Sequence, residues 1–346
     1  MRQLTFVRPG VLEWWDVPEP TIQDDRDAVV RPLAVTRCDL DLYIANGVAR
    51  FDGPFAIGHE TAGIVTAVGG AVRNVAIGDI VIVPFQISCG SCRFCRRGLT
   101  NACEAVPFRS SYGLKPVCGV EYGGTLSDLL RVPFADHMLI KNPAGLKLSQ
   151  TSSLADSATD AFSVAEPVLR QNPGADVVVI GGRGQSLGIM IAHAARSLGA
   201  RRVLYVDTDP RRIAKAREYG VEVIEIKSFR DCQLPDRYFL AVDADGSVCS
   251  LNLAIRSVEP GGICHRMYGG FESETPVPLG HMYGQGITLK IGRVNARASL
   301  PACLAHVQAG HYHPEGVLTR RVSFEDAHEA ILDPSMKIVF LRDGVE

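Results

Sequence analysis

Four cysteines fall within fifteen residues: Cys89, Cys92, Cys95 and Cys103. Thiolates at two-residue gaps, with a fourth on a short return loop, can converge on one tetrahedral ion. Zinc is the usual occupant of such a site. Four protein ligands leave no open position, so this zinc is expected to staple a loop, and any reaction belongs elsewhere. Disulfide pairing is the alternative. The metal-like spacing and the lack of a secretory apolar run in Met1-Arg-Gln-Leu-Thr-Phe-Val oppose it.

A second constellation follows an apolar run at residues 177–180, Val-Val-Val-Ile, which reads as a buried strand. It leads into Gly181-Gly182-Arg183-Gly184-Gln185-Ser186-Leu187-Gly188 and a helix that Gly199 stops. Glycines in such a turn let backbone N–H groups approach a pyrophosphate, which the helix N-terminus also attracts. Gly182, Gly184, Ser186, Leu187 and Gly188 are therefore the candidate cofactor contacts. Gly182-x-Gly184-x-x-x-Gly188 carries one residue more than G-x-G-x-x-G, which leaves the individual phosphate contacts open. Asp207 ends the next strand, 23 residues after Gly184. A carboxylate there accepts hydrogen bonds from both ribose hydroxyls of NAD and repels the 2′-phosphate of NADP. Thr208 and Asp209 bring no cation to offset that, so NAD is the expected cofactor. The bland alternative is that Asp207 only opens a turn. Arg212 is placed to reach the adenosine ribose, and the edge Met267-Tyr268-Gly269 is expected near the nicotinamide.

These residues need two kinds of framework. Residues 1–157 are rich in Gly, Pro and Val and read as short strands at 28–33, 63–68, 79–84 and 127–132, an irregular β domain. Residues 158–290 alternate strands and helices. Strands are expected at 177–180, 203–206, 223–226, 239–242, 263–267 and 287–291. Asp209-Pro210 is expected to cap and open a helix. Alternation of this kind means a doubly wound parallel sheet, a Rossmann dinucleotide-binding domain. Residues 291–346, with a helix near 300–309 and a last strand at 337–341, are expected to return and complete the first domain.

Composition allows both. The 346 residues are 46% hydrophobic and 21% charged, and 36 Lys+Arg nearly balance 38 Asp+Glu. Nothing in that balance favours a nucleic-acid or anionic-membrane partner. No apolar run approaches a membrane span, and a cytoplasmic location is expected.

The motifs then combine. Gly58-His59-Glu60-Thr-Ala-Gly63-Ile-Val, Val68-Gly69, Gly78-Asp79, the four-cysteine lobe and the nucleotide fold occur in one order over essentially the whole chain. In that order and spacing the chain resembles the zinc-dependent medium-chain alcohol dehydrogenase family, whose first domain is GroES-like. The resemblance implies Cys38 and His59 as ligands of a catalytic zinc. Asp156, in Ala155-Asp156-Ser, stands where the bacterial branch places an Asp as third ligand; a helix N-cap is its structural alternative. Glu60 is implied as a nearby or exchanging fourth ligand, and Asp41 as the partner that fixes the His59 tautomer. An open-site zinc lowers the pKa of an alcohol and polarises a carbonyl, and hydride passes between carbon and NAD.

One position departs from the family. A Ser or Thr commonly follows the first Cys ligand by two residues and carries the alcohol proton. Here that residue is Leu40, so Asp39, Tyr43, a water or the cofactor ribose must substitute, and Asp39 or Tyr43 is expected to take the relay. Phe85 stands where the family has a pocket wall, and Tyr43 is a candidate for the same cleft; plain core packing is the alternative for both. Trp14-Trp15 is read as hairpin packing, the His311–His313 pair as a turn, and Cys118, Cys232, Cys249, Cys264 and Cys303 as buried thiols. The Arg201-Arg202 and Arg211-Arg212 pairs are read as mostly solvated. His265-Arg266 within a buried strand has no sequence-level account.

The leading expectation is a zinc- and NAD-dependent alcohol dehydrogenase or carbonyl reductase of a small alcohol. A dismutase- or isomerase-type reaction with retained NAD, and a non-enzymatic protein on the same scaffold, are the alternatives. The segment near residues 286–292 resembles the family's sheet-extending contact, which implies a homodimer or homotetramer.

Overall fold

The computed structural model describes residues 1–268 and 274–345. They form two compact units, Met1–Asp160 with Val294–Glu346, and Ala161–Arg293.

The first unit is built on a long antiparallel pair, Ala28–Thr36 against Glu60–Val68. Pro32 cannot donate to the ladder, and the register shifts between Pro32 and Ala34, where a bulge absorbs it. Ile80–Val83 extends the sheet beyond Glu60–Val68. On the other side Ile338–Leu341 pairs antiparallel with Ala28–Thr36, so the end of the chain lies in the same sheet as residues 28–36. The hairpin Arg2–Arg8 with Val11–Asp16 belongs to a smaller sheet. Its Trp14 packs on Phe324, with ring centroids 5.8 Å apart, while Trp15 faces outward onto Glu13. Two apolar clusters fill the unit, one around Phe6, Tyr43, Phe85 and Phe340, the other around Val30, Val81, Tyr112 and Met138.

The second unit holds a six-stranded parallel sheet, as the alternation predicts. With its strands numbered in chain order, their arrangement across the sheet is 3-2-1-4-5-6, the doubly wound Rossmann order. Val177–Ile180 is central and buried throughout, which is why it reads as an unbroken β-branched run. Asp209 caps the helix Pro210–Glu218 by accepting from the Arg211 N–H.

Arg266 now has an explanation. It ends the strand Val258–Arg266 and donates to the carbonyls of Gly246 (2.7 Å) and Tyr268 (2.5 Å), clamping the turn after Asp243. Among the five thiols expected to be buried, Cys264 and Cys303 are; Cys118, Cys232 and Cys249 keep partial exposure because they lie on short turns or a half-open helix face.

Candidate active site and metal centres

The first site grows from three short stretches. Cys38 follows the strand Ala28–Thr36 by two residues and is the N-cap of the helix Asp39–Ala45, which sequence reasoning did not foresee. His59 and Glu60 enter at the start of Glu60–Val68. Asp156 sits between the 3-10 turn Ser152–Ala155 and the helix Ser157–Gln171. One ligand atom from each of Cys38, His59, Glu60 and Asp156 lies within 4.8 Å of all the others. Cys38 Sγ is 3.5 Å and His59 Nε2 3.3 Å from the same oxygen, Asp156 Oδ2.

A thiol, an imidazole and a carboxylate that share one point make a donor set suited to zinc. Burial pushes the Cys38 thiol far up, and the Asp156 carboxylate adds to the shift. A cation bound at that point would reverse the balance and favour the Cys38 thiolate, with release of its proton.

Asp41 braces two of these residues at once. Its Oδ1 lies 3.1 Å from His59 Nδ1, and its Oδ2 accepts the Cys38 backbone N–H at 3.0 Å. A carboxylate on Nδ1 turns the other ring nitrogen, Nε2, toward Asp156 and Cys38 as the free electron pair. Burial pushes the Glu60 carboxyl up to about 7, with Lys337 pulling the other way.

Lys337 and Arg37 escaped sequence reasoning. Lys337 is completely buried and donates to Glu60 (3.2 Å) and Ser157 Oγ (2.8 Å). Its signal was a lone cation entering the apolar run Ile338–Leu341. Arg37, also buried, donates to the carbonyls of Ile331, Asp333 and Ser335, fixing the residue before Cys38 to the return segment.

The expected wall residues gather nearby. The Phe85 ring is 5.3 Å from that of His59. Tyr43 and Phe85 belong to one apolar cluster, against which Leu40 and Phe51 pack. Asp39 opens the helix after Cys38 and is largely buried.

The four-cysteine lobe brings Cys89, Cys92, Cys95 and Cys103 within the same 4.8 Å limit. Backbone N–H groups point at the sulfurs: Cys92 to Cys89 at 3.3 Å, Cys95 to Cys92 at 3.5 Å, and Cys89 to Cys103 at 3.4 Å. Burial opposes ionisation of Cys92, yet hydrogen bonds from the backbone N–H groups of Cys95, Glu104 and Phe94 and from the Cys95 side chain outweigh it and bring the thiol down to about 6. Asn295 ties the lobe down by accepting from Thr100 Oγ1 (2.6 Å) and the Asn101 N–H (3.2 Å).

In the second unit the glycine turn sits where expected, before the helix Leu187–Ser197, with Ser186 at its N-cap and Leu187 and Gly188 in the first turn. Gly182 has φ 144, which only glycine adopts without strain. A Cβ on Gly181 would lie 2.2 Å from Tyr205 Oη, so no larger residue fits. This cradle fits a pyrophosphate. The Gly184 position lies in the same turn. Tyr268 packs on Gly246 instead of extending freely, and Gly269 lies outside the described residues.

One expectation needs correction. Arg212 is not solvated: it is buried and forms a bidentate pair with Asp207. Asp207 in turn is fully buried, with its carboxylate already engaged. A charged pair buried at the end of the strand Val203–Asp207 left no trace in the hydrophobic pattern.

Comparison with known proteins bears on this geometry. A sequence-family model described as Alcohol dehydrogenase GroES-like domain matches residues 24–144. The chain is 28% identical to a probable zinc-binding alcohol dehydrogenase of Mycobacterium tuberculosis, over 94% of this chain and 83% of that one. It superposes on the solved alcohol dehydrogenase TADH from Thermus sp. ATN1 with a TM-score of 0.88 and 28% identity, covering 99% of this chain and 100% of that one. Residues 24–144 thus carry a GroES-like domain of the alcohol dehydrogenase type, and nearly the whole chain is similar to zinc-binding alcohol dehydrogenases. Its fold is that of these alcohol dehydrogenases, a GroES-like unit and a Rossmann unit. Another relative, a glutathione-independent formaldehyde dehydrogenase of Pseudomonas aeruginosa, is 30% identical over 65% of this chain. That match spans 58% of the relative's length.

Proposed function

We propose that this protein is a zinc- and NAD-dependent oxidoreductase that interconverts a small alcohol and its aldehyde or ketone. The convergence of Cys38, His59 and Asp156, with Glu60 beside them, carries this reading. When bound there, zinc supplies a Lewis acid for the alcohol or carbonyl oxygen, and NAD supplies the hydride acceptor.

The chain's own residues do the rest. Cys38, His59 and Asp156 hold the metal. Asp41 fixes the His59 ring. Lys337 pairs with Glu60 and partly offsets the burial of its carboxylate, which stands by as an exchanging ligand. Phe85, Tyr43 and Leu40 give the neighbourhood an apolar wall, which suits a small carbon skeleton. Leu40 cannot carry a proton, so Asp39 or Tyr43 passes the alcohol proton onward. Cys89, Cys92, Cys95 and Cys103 hold a second, closed zinc.

The edge strand Thr288–Ile291 supports a symmetric dimer. Among the described residues it has a strand partner on one side only, Val258–Arg266. The adjoining helix Leu279–Gln285 buries none of its residues, and Tyr283 is 93% and Leu279 69% exposed. Sheet extension between two copies covers such a surface. Among the described residues no helix is long and apolar enough to cross a membrane. With the near-neutral charge, that is compatible with the cytoplasmic site we propose.

A panel of primary and secondary alcohols, followed at the NADH absorbance, tests the reading. NADH formation on at least one alcohol, lost when zinc is removed and regained when it is restored, is expected. No turnover on any alcohol or carbonyl by a two-zinc protein overturns it.

A further inference from the structure

Asp207 stands where a carboxylate commonly selects NAD, yet its hydrogen-bonding capacity is spent. Its Oδ1 accepts from the Thr208 N–H (2.6 Å), the Asp209 N–H (2.9 Å) and Arg212 Nη2 (2.8 Å), and its Oδ2 from Tyr205 Oη (2.5 Å) and Arg212 Nε (2.8 Å). Five donors therefore share a group that offers about four lone-pair positions. The side chain has no exposed surface.

Selection of NAD by such a carboxylate has two physical sources. Free lone pairs receive the ribose hydroxyls, and an uncompensated negative charge repels a 2′-phosphate. Both are missing here. The lone pairs are taken, and a bidentate guanidinium, the strongest side-chain partner a carboxylate has, neutralises the charge.

Tyr205 locks this arrangement. Its phenol lies under the glycine turn: a Cβ on Gly181 would come within 2.2 Å of Tyr205 Oη and 2.4 Å of Asp207 Oδ2, and one on Gly188 within 3.2 Å of Tyr205 Cε2. The hydroxyl is held between the turn and Asp207 and has nowhere else to go. Arg212 keeps one nitrogen uncommitted to Asp207. Among the described residues, Nη1 makes only a long contact of 3.4 Å, to Asp209 Oδ2. That edge of the guanidinium offers a cationic donor to a sugar oxygen or phosphate brought to the end of the strand Val203–Asp207.

We propose that Tyr205 and Arg212 withdraw Asp207 from the cofactor, so that Arg212 reads the adenosine ribose and the chain accepts NADP and NAD with comparable affinity. Asp207 is then a positioning residue for Arg212. The inference rests on the oxidoreductase reading but concerns only which dinucleotide enters.

Titration calorimetry of the zinc-loaded protein with NADH and with NADPH tests it without reference to turnover. The wild type is expected to bind the two within about tenfold of each other. Arg212→Gln removes the cation and uncovers Asp207, and is expected to swing the ratio toward NADH by about a hundredfold. Tyr205→Phe, a smaller change that spares the fold, frees one lone pair and is expected to shift the ratio the same way by a few-fold. A wild-type preference for NADH above about a hundredfold, abolished by Asp207→Asn, overturns the inference while leaving the oxidoreductase reading intact. Binding of neither dinucleotide overturns that reading, and this inference with it.

Discussion

Lys337 Nζ lies 3.2 Å from each carboxylate oxygen of Glu60, and neither side chain has any contact with solvent. One comes from the return segment, the other from the residue after His59. The pair thus ties the last strand of the chain to the candidate metal centre.

Removing one partner of such a pair leaves an uncompensated buried charge. Lys337→Met is expected to destabilise the first unit by about 3–5 kcal/mol, as for other broken buried pairs. The double variant Lys337→Met with Glu60→Gln is expected to recover most of that loss. Urea denaturation of the three proteins measures it, and a double variant no more stable than the single one contradicts the pairing.

Asp41 acts through His59. Asp41→Asn weakens the hold on Nδ1 while keeping an acceptor for the Cys38 N–H. A loss of roughly 10- to 100-fold in affinity for the more labile of two zinc ions is expected. Competition with a chromophoric chelator reads it, and unchanged affinity at both sites denies Asp41 this role.

The proton route is a separate matter from the metal. At least one of Asp39→Asn and Tyr43→Phe is expected to lower kcat by about 100-fold or more and to move its pH profile, the size typical of a lost acid–base group. Both variants behaving as wild type would remove these two residues from the relay.

His265 offers a stability test in the second unit. Burial pushes it down to about 4, and the Lys290 charge on the adjacent strand pushes the same way. Between pH 6.5 and 4 the unfolded chain takes up a proton that the folded chain refuses. Stability is therefore fully present above about 6.5 and falls as the pH drops through that window, by up to about 3 kcal/mol. His265→Phe is expected to flatten that limb of a melting-temperature profile. An identical acid limb in the variant would assign the loss to other groups.

The parts that were legible in the sequence are those written in local pattern. Residues 177–180 read as a central strand because four apolar, β-branched-rich positions in a row suit a strand covered on both faces. Asp209-Pro210 read as a helix start because both residues satisfy the first turn. The cysteine lobe read as a metal site because its ligands are close in sequence. Lys337, Arg37 and the Arg212–Asp207 pair were not legible, since their partners are set by sheet pairing or by the depth of burial. The helix Asp39–Ala45 was hidden for another reason. It is only seven residues long and is held by a capping box whose first member is a cysteine, Cys38, outside the usual N-cap set.

Zinc content per chain is the most direct test of the central claim, that Cys38, His59 and Asp156 hold a working metal apart from the cysteine lobe. The account predicts two zinc ions in the wild type and one in Cys38→Ala, with the remaining ion lost only when Cys103 is also replaced. One zinc in the wild type, or two in Cys38→Ala, would contradict it.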